Sequence, residues 1–210
     1  MELRRLFDKI ITAFYSNCMG VSRFCNVAVF RTWVLGIVAF NLLGSVCVSA
    51  EIAKPDLQHN VVVVDKLTNK LYLAKYEGSS WEIIQTYDTT LGLVLGDKME
   101  EGDLKTPEGI YQFEFRSLPS TGLKPKFGSM ALYVSYPNII DRRSHKTGFD
   151  ILIHGTNDPP RLKKKYDSKG CVVLANEQIE ELWPNVRLKQ TPVIITKDFS
   201  KIKNSPRRAS

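Results

Sequence analysis

Beyond residue 59 the apolar residues come in short runs broken by turn formers, a pattern of many short strands. Residues 61–64 are four valines, Thr68-Asn69 supplies turn residues, and the apolar run resumes at 71–74, so residues 60–76 read as a β-hairpin. Residues 81–91 mix Trp, Ile, Tyr and Thr in a third strand. Gly92, Gly96 and Gly102 then punctuate a charged loop, and residues 110–115 alternate well enough for a strand with one buried face. Residues 116–130 hold two Pro, three Ser, one Thr and two Gly, which makes them a loop. Residues 131–135, 149–154, 171–174 and 192–196 are further short strands. One helix is predicted over roughly 176–183, with Asn176 as its cap, Glu177 in its first turn and Pro184 beyond its end. The expected fold is mainly β, a sandwich or barrel with one or a few short helices.

The N-terminal quarter is of another kind. Residues 33–50, WVLGIVAFNLLGSVCVSA, carry no charge, and Arg4, Arg5, Lys9, Arg23 and Arg31 precede them against only Glu2 and Asp8. A positive flank, an apolar run and a small-residue exit describe a secretory signal, with Val48 and Ala50 at the small positions and Glu51 as the first mature residue. The run is also long enough to span a bilayer uncleaved. Residues 1–50 therefore read as a signal peptide or membrane anchor, 51–59 as a linker, 60–197 as the folded domain and 198–210 as a basic tail. The domain is expected outside the cytoplasm, in the periplasm or cell wall, touching membrane only through the N-terminal segment.

Export decides how the cysteines are read. Of Cys18, Cys25, Cys47 and Cys171, only Cys171 survives removal of residues 1–50, which excludes a disulfide framework in a mature monomer. No pair has zinc-ligand spacing, and His59 and His145 have no ligand partners nearby in sequence, so neither a metal nor another cofactor is expected. A lone cysteine in an oxidising compartment is either a buried spectator or a working nucleophile. The net charge, +7 overall and +4 without residues 1–50, favours anionic surroundings without choosing among them. No nucleic-acid partner is expected.

Two segments carry chemistry. In Ile151-Leu152-Ile153-His154-Gly155-Thr156 an apolar run ends in histidine, so the imidazole emerges where a strand leaves the core. In Ser168-Lys169-Gly170-Cys171-Val172-Val173-Leu174 a polar turn delivers cysteine at the start of an apolar run. Gly170 permits a sharp turn, and the Gly170 and Cys171 amides are expected to face a developing oxyanion. Nearby imidazole and lysine charge would favour the thiolate. Nucleophile, base and oxyanion donors make the minimum set for covalent acyl transfer. The competing reading is structural: a cysteine inside GCVVL is commonly a small core residue, and a histidine at a strand end a satisfied one.

His154-Gly155-Thr156, with Ser168 following His154 after thirteen residues in an SxGCxxL segment, resembles the active-site motif of the L,D-transpeptidases (YkuD-type catalytic domain). The likeness extends from the VVVVDKLTNKLYLAK hairpin through Thr106–Tyr111, TPEGIY, over about residues 60–197. It implies that Cys171 attacks the carbonyl of the third residue of a peptidoglycan stem peptide and expels the terminal D-alanine. The thioester then passes to an amine or to water. It implies that His154 is the base, that the Gly155 carbonyl orients its ring, and that Ser168 and Gly170 support the nucleophile. Lys169 stands where the commoner motif has histidine, and Val173 where it has arginine. A substrate carboxylate must then be held by another cation, for which Lys169 and Arg142 are the candidates. The SKGC form resembles a branch that includes enzymes trimming stem peptides or releasing wall-attached lipoproteins. Transpeptidase, carboxypeptidase and amidase activities are thus all implied as alternatives. A catalytically silent wall-binding module is the rival from another class.

Overall fold

The computed structural model describes residues 59–78 and 80–204. The N-terminal apolar segment with Cys18, Cys25 and Cys47, linker residues 51–58 and tail residues 205–210 lie outside the described residues. Among the described residues, no helix is long and apolar enough to cross a membrane.

The predicted hairpin is present as β1 (Asn60–Asp65) and β2 (Lys70–Tyr76), antiparallel with Asn60 opposite Lys75 and Asp65 opposite Lys70. The run predicted at 81–91 divides into β3 (Trp81–Asp88) and the short β4 (Leu91–Gly92). Next come β5 (Gly109–Ser117), β6 (Ala131–Val134), β7 (Leu152–His154), β8 (Tyr166–Ser168), β9 (Val172–Val173) and β10 (Pro192–Thr196). Eight of them form one mixed sheet in the order β3-β2-β1-β10-β5-β6-β7-β9, and β4 pairs with β8 in a small second sheet. The fold is mainly β, as expected.

The centre of the sheet explains why the valine run has no polar alternation. Val61, Val62, Val63 and Val64 are all fully buried, so both faces of β1 are covered. Val62 and Val64 join the main core with Leu71, Leu73, Phe113, Leu132, Ile153 and Val172. Val61 and Val63 pack on the other face with Tyr76, Ile194 and Phe199. Each such side chain contributes about 1.5–3 kcal/mol through burial.

Among the described residues, three short α-helices accompany the strands: α1 (Ile139–Arg143), α2 (Asn176–Leu182) and α3 (Phe199–Lys203). Residues 199–203, within the stretch read as a basic tail, form α3. Asp198 caps that helix, its Oδ1 accepting the Ser200 amide at 3.0 Å, and Phe199 lies against the rings of Tyr72 and Trp81. Burial of one aromatic ring outweighs the polar composition around it. For α2 the predicted span is close but the predicted cap is not. Ala175 is the cap, and Asn176 begins the helix with its side chain directed to the Ser129 amide at 3.0 Å.

The charged loop after β4 is not simply solvated. Lys66 Nζ donates to the carbonyls of Gly96 and Thr106 and to Glu108 at 2.9 Å. Lys146 bridges Asp97 at 2.6 Å and Asp141 at 3.0 Å, and Lys98 pairs with Asp103 at 2.8 Å. Lys66 and Lys98 are buried, and burial outweighs Glu108 in lowering the Lys66 pKa. These pairs fasten the loop beside the mouth of the site.

Candidate active site

β7 and β9 run parallel at the end of the large sheet, with Ile153 opposite Val172 and His154 opposite Val173. This pairing brings together segments that are distant in sequence, and His154 and Cys171 line one cavity of about 680 Å³. Cys171 is partly buried there, packed against Leu123, Ala131 and Leu152 at the cavity wall. Its Sγ lies 3.7 Å from the Asp150 carbonyl.

His154 is 2 % exposed, and its Nδ1 is 2.5 Å from the Gly155 carbonyl. A carbonyl only accepts, so Nδ1 carries the proton and Nε2 keeps the lone pair. The Phe127 ring meets the imidazole edge-on, with centroids 4.8 Å apart. Burial holds the His154 pKa down at about 4 despite the Gly155 hydrogen bond, so the ring is uncharged at neutral pH.

The thiolate expectation is corrected. Burial pushes the Cys171 thiol above its ordinary value; a Leu152 backbone hydrogen bond and the charges of Lys126 and Arg161 oppose this only in part. Both groups are thereby pushed toward their uncharged forms, and the resting pair is neutral thiol and neutral imidazole.

The turn before the cysteine is built by Ser168. Its Oγ donates to the Cys171 carbonyl at 2.6 Å and accepts the Gly170 amide at 3.1 Å. The Gly170 amide is therefore engaged, not open to an oxyanion as expected. Glycine is needed at 170 for a different reason: φ is +123°, and a Cβ there would lie 2.7 Å from the Lys105 carbonyl oxygen. Gly155 is constrained similarly, since its Cβ would meet Asn176 Oδ1 at 2.3 Å. Asn176 thus packs against the residue whose carbonyl faces the imidazole.

Lys169 is exposed and lines the cavity. Arg142 does not line it. It sits on α1, is exposed, places Nη1 2.5 Å from the Pro137 carbonyl, and borders a neighbouring depression that shares Tyr133, Phe149 and Asp150 with the cavity. Arg142 thus borders the adjoining depression and not the cavity of the thiol itself. Lys126 and Arg161, which the sequence reading missed, do line the cavity. No local periodicity marked them, because each reaches the site from a 3₁₀ turn, Pro125–Phe127 and Pro159–Lys163. Among the described residues, no cluster of His, Cys, Asp and Glu is arranged to hold a metal ion.

The family model of the L,D-transpeptidase catalytic domain (YkuD) matches residues 59–195. Escherichia coli YafK, provisionally named an L,D-transpeptidase, is 30% identical over 89 residues, 42% of this chain and 31% of YafK. Among solved structures, Bdellovibrio bacteriovorus Bd1075 superposes with a TM-score of 0.56 at 32% identity, covering 67% of this chain and 49% of that one. Campylobacter jejuni Pgp2, described as a helical cell shape determining protein, gives 0.56 at 28% identity, covering 72% and 50%. The chain thus spans about a third of YafK and about half of the other two. With the catalytic-domain match running from β1 to β10, the chain belongs to the L,D-transpeptidase (YkuD) family.

Proposed function

We propose that this domain is an exported cysteine acyltransferase that acts on peptidoglycan stem peptides, forming a thioester at the third residue and passing it to an amine. The observation that carries the reading is the shared cavity of Cys171 and His154, with the imidazole's Nδ1 side turned to the Gly155 carbonyl. That tautomer leaves Nε2 to take the thiol proton as sulfur attacks the carbonyl carbon. Because the resting pair is uncharged, the imidazole must take the thiol proton before or during attack. The tetrahedral oxyanion is held by the Cys171 amide. On its collapse the bond to the terminal D-alanine breaks, and the imidazolium returns its proton to the leaving amine. The acceptor amine then attacks the thioester, and the same imidazole removes its proton. Ser168 keeps the nucleophile's turn in register through its bonds to Gly170 and Cys171.

The Ser168-Lys169-Gly170-Cys171 form supports placement in the SKGC branch, where water or a lipoprotein linkage can stand in for the amine or the donor. The test incubates the protein with defined tetrapeptide muropeptides and reads products by mass spectrometry. A cross-linked dimer is the expected product. Loss of D-alanine without dimer identifies a carboxypeptidase, and unchanged muropeptides with retained binding identify a silent module. N-terminal sequencing of the exported protein checks the signal, with Glu51 expected first.

A further inference from the structure

Val173, two residues after the cysteine, is fully buried and paired with His154 in the sheet, so the strand after Cys171 brings no cation to the site. The cavity wall instead carries Lys126 and Arg161 from two separate turns. Arg161 is partly buried, and its Nη2 lies 2.5 Å from the Asp167 carbonyl, which fixes the guanidinium while leaving further donors for a ligand. Lys126 Nζ stands 4.8 Å from the centre of the Phe127 ring, which packs roughly perpendicular to the His154 ring. The charges of both act on His154 and on Cys171.

We infer that Arg161 and Lys126 form an anion subsite beside the Cys171–His154 pair, which takes the terminal carboxylate of the residue leaving the acyl donor. The inference rests on the acyltransferase reading for the identity of the donor, but not for the existence of the subsite. The leaving amine must sit at the imidazole to receive its proton, and its carboxylate is one carbon further on. The Lys126–Phe127 stack brings positive charge next to the imidazole. A guanidinium with free donors offers the paired geometry a carboxylate prefers.

Two experiments separate the subsite from the donor. In the first, Cys171 is alkylated with iodoacetate and with iodoacetamide, and the rate ratio is compared with that of a free cysteine peptide. The native protein should favour the anionic reagent by about tenfold over the free thiol, as one charge-assisted contact allows. Arg161→Gln combined with Lys126→Met should bring the ratio back to within about twofold of the free thiol, while Arg161→Lys keeps a clear preference. A ratio unchanged in the double variant, or one abolished by Lys169→Met alone, overturns the subsite. The second compares kcat/KM for tetrapeptide donors with a free or an amidated C-terminus. The double variant should lose about tenfold more on the free acid. Equal loss on both overturns the assignment to the leaving residue. A retained alkylation preference with neither peptide turned over contradicts the acyltransferase reading and leaves the subsite standing.

Discussion

The two ends of the large sheet are built by different means. Around β1, β2 and β10 the strands are five to seven residues long, the ladders are continuous, and both faces of β1 are packed with aliphatic and aromatic side chains. Around β7 and β9 the strands are three and two residues long. There the backbone is held by side chains, with Ser168 on the cysteine turn and Asn176 on Ser129, and it passes through left-handed conformations at Asp150 and Gly170. One end supplies stability and the other spends some of it to hold a buried imidazole and a partly buried thiol at one cavity. The difference teaches that perturbing the first should change the folded fraction, and perturbing the second should change the chemistry.

The sharpest test of that division is His154→Gln. Loss of the base should lower kcat by about 10³-fold, within the usual span for general-base catalysis, and the thermal midpoint should move little. A large loss of stability with near-native turnover would break the division. At the other end, Leu73→Ala removes a side chain that is 1 % exposed and should cost about 2–5 kcal/mol in denaturant unfolding. The remaining folded enzyme should keep its kcat/KM.

pH gives the next effect. Burial lowers the His154 pKa from 6.5 to about 4. Between these values the unfolded chain binds a proton that the native state refuses, so stability rises with pH through this window. It is fully present above about pH 6.5 and is lost as pH falls toward 4, a difference of at most about 3 kcal/mol. Unfolding midpoints of the native protein and His154→Gln at pH 4.5 and 7.5 check this: the variant should show the smaller change, since it lacks the titrating ring. The smallest expected effect is that of Gly170→Ala. Strain at a positive φ and contact with the Lys105 carbonyl should cost about 1–3 kcal/mol. Because Cys171 follows directly, the rate should fall as well, unlike for Leu73→Ala.

The scaffold was more legible in the sequence than the site wall. Four consecutive valines followed by Thr68-Asn69 determine a hairpin almost without tertiary help, and residues 192–196 form β10 as read. The strands at 149–154 and 171–174 shrink to Leu152–His154 and Val172–Val173, because the chain bends to present the functional side chains. α1 was missed although Asn138 and Asp141 form a reciprocal cap that was visible as Asn-x-x-Asp. Lys66 and Lys98 look solvated in sequence because burial of a lysine depends on partners from other segments, here Glu108 and Asp103. Arg142 and Arg161 both lie near His154 in sequence, and only tertiary structure turns one toward the cavity and the other away.

The central claim is that the Cys171 sulfur becomes acylated. Acid quenching of the protein during turnover of a tetrapeptide donor, followed by peptide mapping, tests it most directly. The account predicts one adduct on the peptide containing Cys171, with the mass of the donor less D-alanine, and none in Cys171→Ser. Turnover that persists in Cys171→Ser within about tenfold of the native rate, with no adduct in either protein, would contradict it.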